Sequence, residues 1–418
     1  MARHLDSECW ATPSAQDYSE VCEIPDPEVY CPTPSLVRLP SGRILCSFAL
    51  LTRVNRLPGR PDHEIKTLFW ISDDNGDTWQ EQGKVKLGDG LAFVHHDKLY
   101  LLCNRSGRED IVLVESRDEG VTWSKPHLLF KGRFWNTFTP HAILGSTLYW
   151  SFGMGNHEGN FNRTGSRIVL VAGDLSAQSL MDQSAWRISP HLTYPGTPDG
   201  LSTGLVDQVD PGKTYPGAPT PPGGLTFRDQ APDIGDHWLE PNVVNVNGKV
   251  RVYVRLRVDG QATPHMCAIC DVNDDGKKLE LRFTQFHPLP GNCYFHIIRD
   301  GPDGYFWTPT NMPTRAQDVV WGREMAAHGL GGGAGNERRF LMLWYSLDAL
   351  SWFPAGCVAR WPSPRQGFNY NAMLIDGNDL LISSRTAKNS RNQHDNDRVT
   401  VHRVRDFRKR AMNLYPVI

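Results

Sequence analysis

Ser72-Asp-Asp-Asn-Gly-Asp-Thr-Trp79 and Ser116-Arg-Asp-Glu-Gly-Val-Thr-Trp123 are two copies of one pattern, S-x-D-x-G-x-T-W. Their starts lie 44 residues apart, about the length of one four-stranded propeller blade. An alternating run precedes each copy, Thr67-Leu-Phe-Trp-Ile71 and Asp110-Ile-Val-Leu-Val-Glu115. The motif has the chemistry of a turn: Asp accepts backbone N–H bonds, Gly supplies a positive φ, and Trp fills the gap between sheets. Tyr345-Ser-Leu-Asp-Ala-Leu-Ser-Trp352 is a worn copy, one residue short and without the Gly.

The same rhythm continues along the chain. Pro34–Phe48 alternates on both sides of Ser41-Gly42, Asn242–Val254 around Asn247-Gly248, and Ala372–Ser384 around Asp376-Gly377. These read as hairpins. With 38 Gly, 30 Pro and 13 Trp in 418 residues and no long helical period, the expected fold is all-β. One β-propeller domain is expected over residues 1–418. A Pro/Gly-rich insertion at about 195–236 and a glycine-rich loop from Met325 to Glu337 interrupt it.

A net charge of −2 and pI near 6.7 give no basic surface for nucleic acid, and no apolar run is long enough to span a membrane. Residues 1–10 lack an apolar h-region, which sets the expectation of a cytoplasmic protein, or of a secreted or periplasmic one whose leader has been removed. Nine scattered cysteines read as reduced thiols. His265, Cys267, Cys270, His287, Cys293 and His296 hold enough soft donors for zinc. However, spacing three on a strand turns Cys267 and Cys270 to opposite faces, so buried thiols are the better reading. No cofactor is expected, with zinc or calcium at most a structural ion.

The central segment runs from His237 to Arg257, and on its second strand Arg251, Tyr253, Arg255 and Arg257 share one face. Arginines on one face either stay solvated or meet anions, and a planar carboxylate is their best partner. The repeat resembles the Asp-box of the sialidase-like (BNR-repeat) propeller superfamily, in which the boxes are structural. The resemblance covers most of the chain from about residue 30 and leans to seven blades over six. Glu240, Asn242 and Arg255 occupy positions resembling the central blade of these propellers, where the arginine faces the substrate. The ending Gly367–Ala387 with His394–Arg408 is similar to bacterial BNR-type proteins, relatives of ulvan and rhamnose–glucuronate polysaccharide lyases. That likeness implies Arg385 as a second carboxylate ligand, with His394 and Asp395 in a nearby loop.

The related lyases carry a His-Thr-Ala-Pro-like stretch and a second histidine about twenty residues on. Here Asn136 stands at the first position, with His141 a possible stand-in, and His157 fits the second. His237 or Trp238 replaces a lyase tyrosine before Glu240. True exo-sialidases share a first-blade Arg-Ile-Pro-like motif, an arginine triad and a Tyr–Glu nucleophile pair. Here the first-blade position reads Tyr30-Cys-Pro-Thr-Pro34, with no Arg.

The expected function is therefore cleavage at an acidic sugar, a uronate in an oligo- or polysaccharide, by β-elimination. Arg255 and Arg385 neutralise the carboxylate, and His157 or His141 moves the proton. Asn136, His237, Trp238, Glu240, Asn242, Arg257, Asn311 and His394 line the site, and Trp135, Trp238 and Trp307 offer stacking faces. The alternatives are a sialidase-type hydrolase using Glu240 and a non-catalytic glycan-binding propeller.

Overall fold

Strands form where the alternation is cleanest, and each hairpin turns at the glycine expected to turn it. In the computed structural model the described residues are 12–31, 33–52, 65–88, 90–105, 108–159, 165–198, 236–258, 261–291, 294–301, 304–316, 336–390 and 392–415. They build six antiparallel sheets of at least four strands, and no α-helix occurs among them. The first blade centres on Ser35–Arg38, Ile44–Thr52, Lys66–Ser72 and Gln80–Val85. The second holds Gly90–His95, Lys98–Asn104, Ile111–Ser116 and His127–Phe130. The third is built on Thr147–Met154 and Arg167–Asp174, with short flanking strands. The fourth runs His237–Val246, Lys249–Val258, Gln261–Asp274 and Leu279–His287. The fifth holds Ile298–Arg299, Phe306–Asn311, Phe340–Ser346 and Phe353–Arg360. In the sixth, Gly367–Asp376, Asp379–Ala387 and Arg398–Val404 accept Ser19–Glu23 from the other end of the chain as their outer strand.

Apolar clusters between neighbouring blades complete the ring. Cys46 and Phe48 of the first blade pack with Val399 and Val401 of the sixth, and Phe368 and Ile382 of the sixth with Leu341 and Leu343 of the fifth. The expectation of seven blades is corrected to six. Two stretches without strand pattern, about 195–236 and 325–337, take up the length a seventh blade would need. Most of both lies outside the described residues.

Both full motif copies and the worn one sit between the third and fourth strands of their blades. In the first, Asp74 Oδ1 accepts from the backbone N–H of Thr78 at 2.8 Å, and Ser72 Oγ accepts from Gly76 N at 2.6 Å. Bonds from the Thr78 hydroxyl, the Thr78 N–H and the Ser72 hydroxyl hold the Asp74 carboxyl down to about 2. Gly76 has φ +97°, and Trp79 lies over it. Asp118 and Ser116 repeat the arrangement. In the worn copy Asp348 accepts from Leu350 N and Ser351 N, while Ala349 is forced to φ +58° where glycine is missing. The metal reading finds no support among the described residues, which hold no cluster of three or more His, Cys, Asp or Glu fit for a metal. Cys267 and Cys270 are buried in different clusters, on opposite faces of their strand, and burial pushes both thiols up. Cys293 lies outside the described residues.

Candidate functional site

Strand direction separates the two faces of the ring. The turn motifs close one face, so the ends of the second strands and the beginnings of the first strands point to the other. On that face the fourth and sixth blades carry the same local device. In the fourth, Leu239 pairs with Arg255 and the ladder resumes at Asn242 with Tyr253, leaving Glu240 and Pro241 opposite one residue. In the sixth, Asn369 pairs with Arg385 and the ladder resumes at Ala372 with Ser383, leaving Tyr370 and Asn371 opposite one. Glu240 and Tyr370 are both left-handed, at φ +57° and +50°. Two bulges with a strained, non-glycine residue beside an arginine are the kind of backbone feature that concentrates at working sites.

The side chains converge on Tyr370. Arg255 Nη1 lies 2.8 Å from Glu240 Oε2 and 3.5 Å from the Tyr370 hydroxyl. Arg385 stacks between two rings, with its guanidinium carbon 4.9 Å from the Tyr30 centroid and 5.0 Å from that of Tyr370. Arg338 approaches the same ring at 5.8 Å and donates to Asn369 Oδ1 at 3.0 Å. Burial pulls the Arg385 guanidinium down to about 10, opposed by the two tyrosines, so it stays charged at neutral pH. Arg255 and Glu240 are 6 % and 1 % exposed. The strand-face argument left the arginine either solvated or meeting an anion; the structure gives the second, a buried pair with Glu240. Breaking such a pair is costly because one charge is left alone in a poor dielectric.

The other candidates separate into groups. His394 lies against Arg385, Nδ1 to Nη2 3.1 Å. Asn242 and Asn311 are buried and serve the backbone: Asn242 Oδ1 accepts from Ile297 N at 3.2 Å, and Asn311 Nδ2 donates to the Phe368 carbonyl at 2.6 Å. Asn136 is also buried, bonded to Thr139 Oγ1 at 2.9 Å. His237 is buried and Arg257 half-buried. Trp238 and Trp307 do not offer faces to a sugar. The first is packed against Tyr194 with its N–H on the Ser166 carbonyl, and the second is enclosed by Phe407 and Tyr345. Trp135 is half-buried. His157, in the loop joining the second and third strands of the third blade, is exposed, with Nε2 3.8 Å from Glu158.

Sequence reading missed Tyr370, Arg338 and Tyr294, whose ring lies 5.1 Å from that of Tyr370. Tyr370 stood inside a quoted motif, between two asparagines. Its only signal was an alternation broken by one residue.

His141 is half-buried, His296 buried. Burial holds His141 at about 4 and His296 at about 3, the latter with help from His141, and His402 beneath Phe368 at about 4. All three lie below the unfolded value of 6.5, so the unfolded chain binds more protons between that value and about 4. The stability they contribute is complete above pH 6.5 and is lost as pH falls through this window, by a few kcal/mol at most for each. The melting temperature should therefore drop between pH 6.5 and 4. In His402→Gln, whose amide still reaches the Ala15 carbonyl, the slope should be shallower by about one proton. A flat midpoint across this range contradicts the assignment.

No protein-family model and no curated protein matches the sequence. Solved structures do match in fold. The Penicillium chrysogenum alpha-L-arabinanase complexed with arabinobiose is 14 % identical with a TM-score of 0.52, over 94 % of this chain and 99 % of that one. The Fusarium graminearum alpha-L-arabinofuranosidase Arb93A with an iminosugar inhibitor is 12 % identical with a TM-score of 0.51, over 94 % and 98 %. The Trypanosoma rangeli sialidase complexed with sialic acid is 14 % identical with a TM-score of 0.52; the match covers 91 % of this chain but 55 % of that one. At these identities the likeness is one of fold.

Proposed function

We propose that this protein is a glycoside hydrolase acting at an acidic sugar, with Tyr370 as nucleophile, Glu240 as its base, and Arg255 and Arg385 as ligands of the sugar carboxylate. The observation that carries the reading is the Tyr370 phenol with Arg255, itself paired to Glu240, at its hydroxyl and three guanidinium groups around it. An anionic nucleophile approaching a carbon beside a carboxylate is repelled. A phenol stays neutral until it attacks, passes its proton to the neighbouring carboxylate, and has its developing charge met by Arg255. A tyrosine and a glutamate are likewise what true sialidases share, although here the first-blade position carries no arginine and Arg385 supplies a cation from the sixth blade instead. The fold shared with an arabinanase, an arabinofuranosidase and a sialidase supports hydrolysis over elimination. The exposure of His157 gives an eliminating base little shelter.

An arginine-flanked tyrosine also suits removal of a C5 proton, so product chemistry is the test. The protein is incubated with 4-methylumbelliferyl glycosides of sialic acid, glucuronic acid and arabinofuranose, and with uronate polysaccharides. Fluorophore or reducing ends should be released with no unsaturated, ultraviolet-absorbing sugar. An unsaturated product returns the reading to a lyase. Saturable binding of these sugars without turnover makes the propeller a binding module.

A further inference from the structure

We propose that His394, oriented by Asp395, is the group that carries a proton to and from the glycosidic oxygen; the assignment rests on the hydrolase reading above. Both residues lie in the loop between Asp379–Ala387 and Arg398–Val404, on the face that holds Tyr370. Asn392 shapes the loop: its Oδ1 accepts from His394 N at 2.9 Å and Asp395 N at 2.8 Å, and its amide donates to Asp395 Oδ2 at 2.5 Å. The carboxylate is thereby aimed at the ring, Oδ1 to Nδ1 3.0 Å. Asp395 is buried, whereas 35 % of the His394 side chain is exposed. The Nδ1 end of the ring is held by a buried carboxylate, and the side chain as a whole remains partly exposed. A carboxylate on Nδ1–H fixes the tautomer and stabilises the imidazolium, as an acid–base histidine requires.

The neighbours sharpen the argument. The groups around the imidazole include Asp395, Arg385, and the Tyr30 and Tyr370 rings at 6.5 and 6.4 Å. Arg385 Nη2, 3.1 Å from Nδ1, can only donate, and Asp395 can only accept. Nδ1 serves one of them at a time. When a sugar carboxylate occupies Arg385, the guanidinium turns its hydrogens to that anion and Nδ1–H is left to Asp395. In the first step the Tyr370 oxygen bonds to the anomeric carbon, the glycosidic C–O bond breaks, and its electron pair takes the proton from His394 Nε2. In the second, His394 takes a proton from water, the water oxygen bonds to the anomeric carbon, and Tyr370 leaves, recovering its proton from Glu240.

Two measurements test this. In ¹⁵N-histidine-labelled protein saturated with acetate as a carboxylate probe, the His394 signals (identified by their loss in His394→Gln) should report Nδ1–H, and Asp395→Asn should lower the titration midpoint. A bare Nδ1 in both states, or a midpoint indifferent to Asp395→Asn, overturns the proposal, and this readout needs no sugar. In turnover, His394→Gln should lose roughly 10²–10⁴-fold on glycosides with an alkyl leaving group and less than about tenfold on 4-nitrophenyl glycosides, whose leaving oxygen needs no proton. Equal losses on both overturn it. Failure of Tyr370 variants to affect turnover, with the leaving-group split intact, faults the nucleophile and not His394.

Discussion

Tyr370→Phe should lose at least about 10³-fold in turnover while melting within a degree or two of the native protein. The substitution removes one oxygen and keeps the ring. The faces that Arg385 and Arg338 cover, and the contact with Tyr294, therefore persist. The bulge that holds residue 370 at φ +50° is also unchanged, since phenylalanine meets the same backbone cost as tyrosine. What disappears is the nucleophile, which no nearby group replaces in the same place. Turnover and melting temperature are measured on the same preparation. Native-like activity would leave the tyrosine only a packing role and return the choice of nucleophile to Glu240.

Arg255 should give the next largest effects, and two substitutions separate its roles. Arg255→Lys keeps a cation against Glu240 and should fold, but it loses the planar fork that grips a carboxylate, at a cost of roughly 10²–10³-fold in turnover. Arg255→Leu strands the Glu240 carboxylate, 1 % exposed, and should cost about 3–5 kcal/mol of stability. Adding Glu240→Leu should recover most of that stability and none of the activity, because removing both charges ends the penalty of burying one. Urea unfolding of the two single variants and the double variant reads this directly. Additive losses in the double variant would show that the two side chains are not a pair.

The fold was legible because turn chemistry is local. An aspartate, a glycine and a tryptophan at fixed offsets specify the motif wherever it occurs, and strand alternation does the rest. The number of blades was not legible, because long stretches without strand pattern consume length unpredictably. Arg255 was legible for the same local reason: period two puts it on a face, and its position opposite Leu239 follows from the hairpin, whereas Arg385 came only with the resemblance of the C-terminal stretch and Arg338 was missed. Tyr370 was not. Its direction is set by a bulge, and one extra residue reverses every inside–outside assignment that follows it. Trp238 failed in the opposite way: as a large aromatic beside the motif it suggested a sugar platform, but the pleat turns it into the core between two blades. His394 and Asp395 lie in a loop, where spacing alone says nothing of what they meet.

The pairing of Ser19–Glu23 with Arg398–Val404 also sets a timetable for the nascent chain. Ser19 and its partner Val401 are 382 residues apart, so Ser19–Glu23 waits through the synthesis of that whole span before it can be paired. Until Val399 and Val401 are made, Val21 and Ile24 have only the first blade's side of their cluster, and the growing fan of sheets ends in an open edge of the kind that recruits other chains. Closure waits for Arg398–Val404. That makes it a step of high contact order, and the point at which a holding chaperone would do most for the yield of native protein.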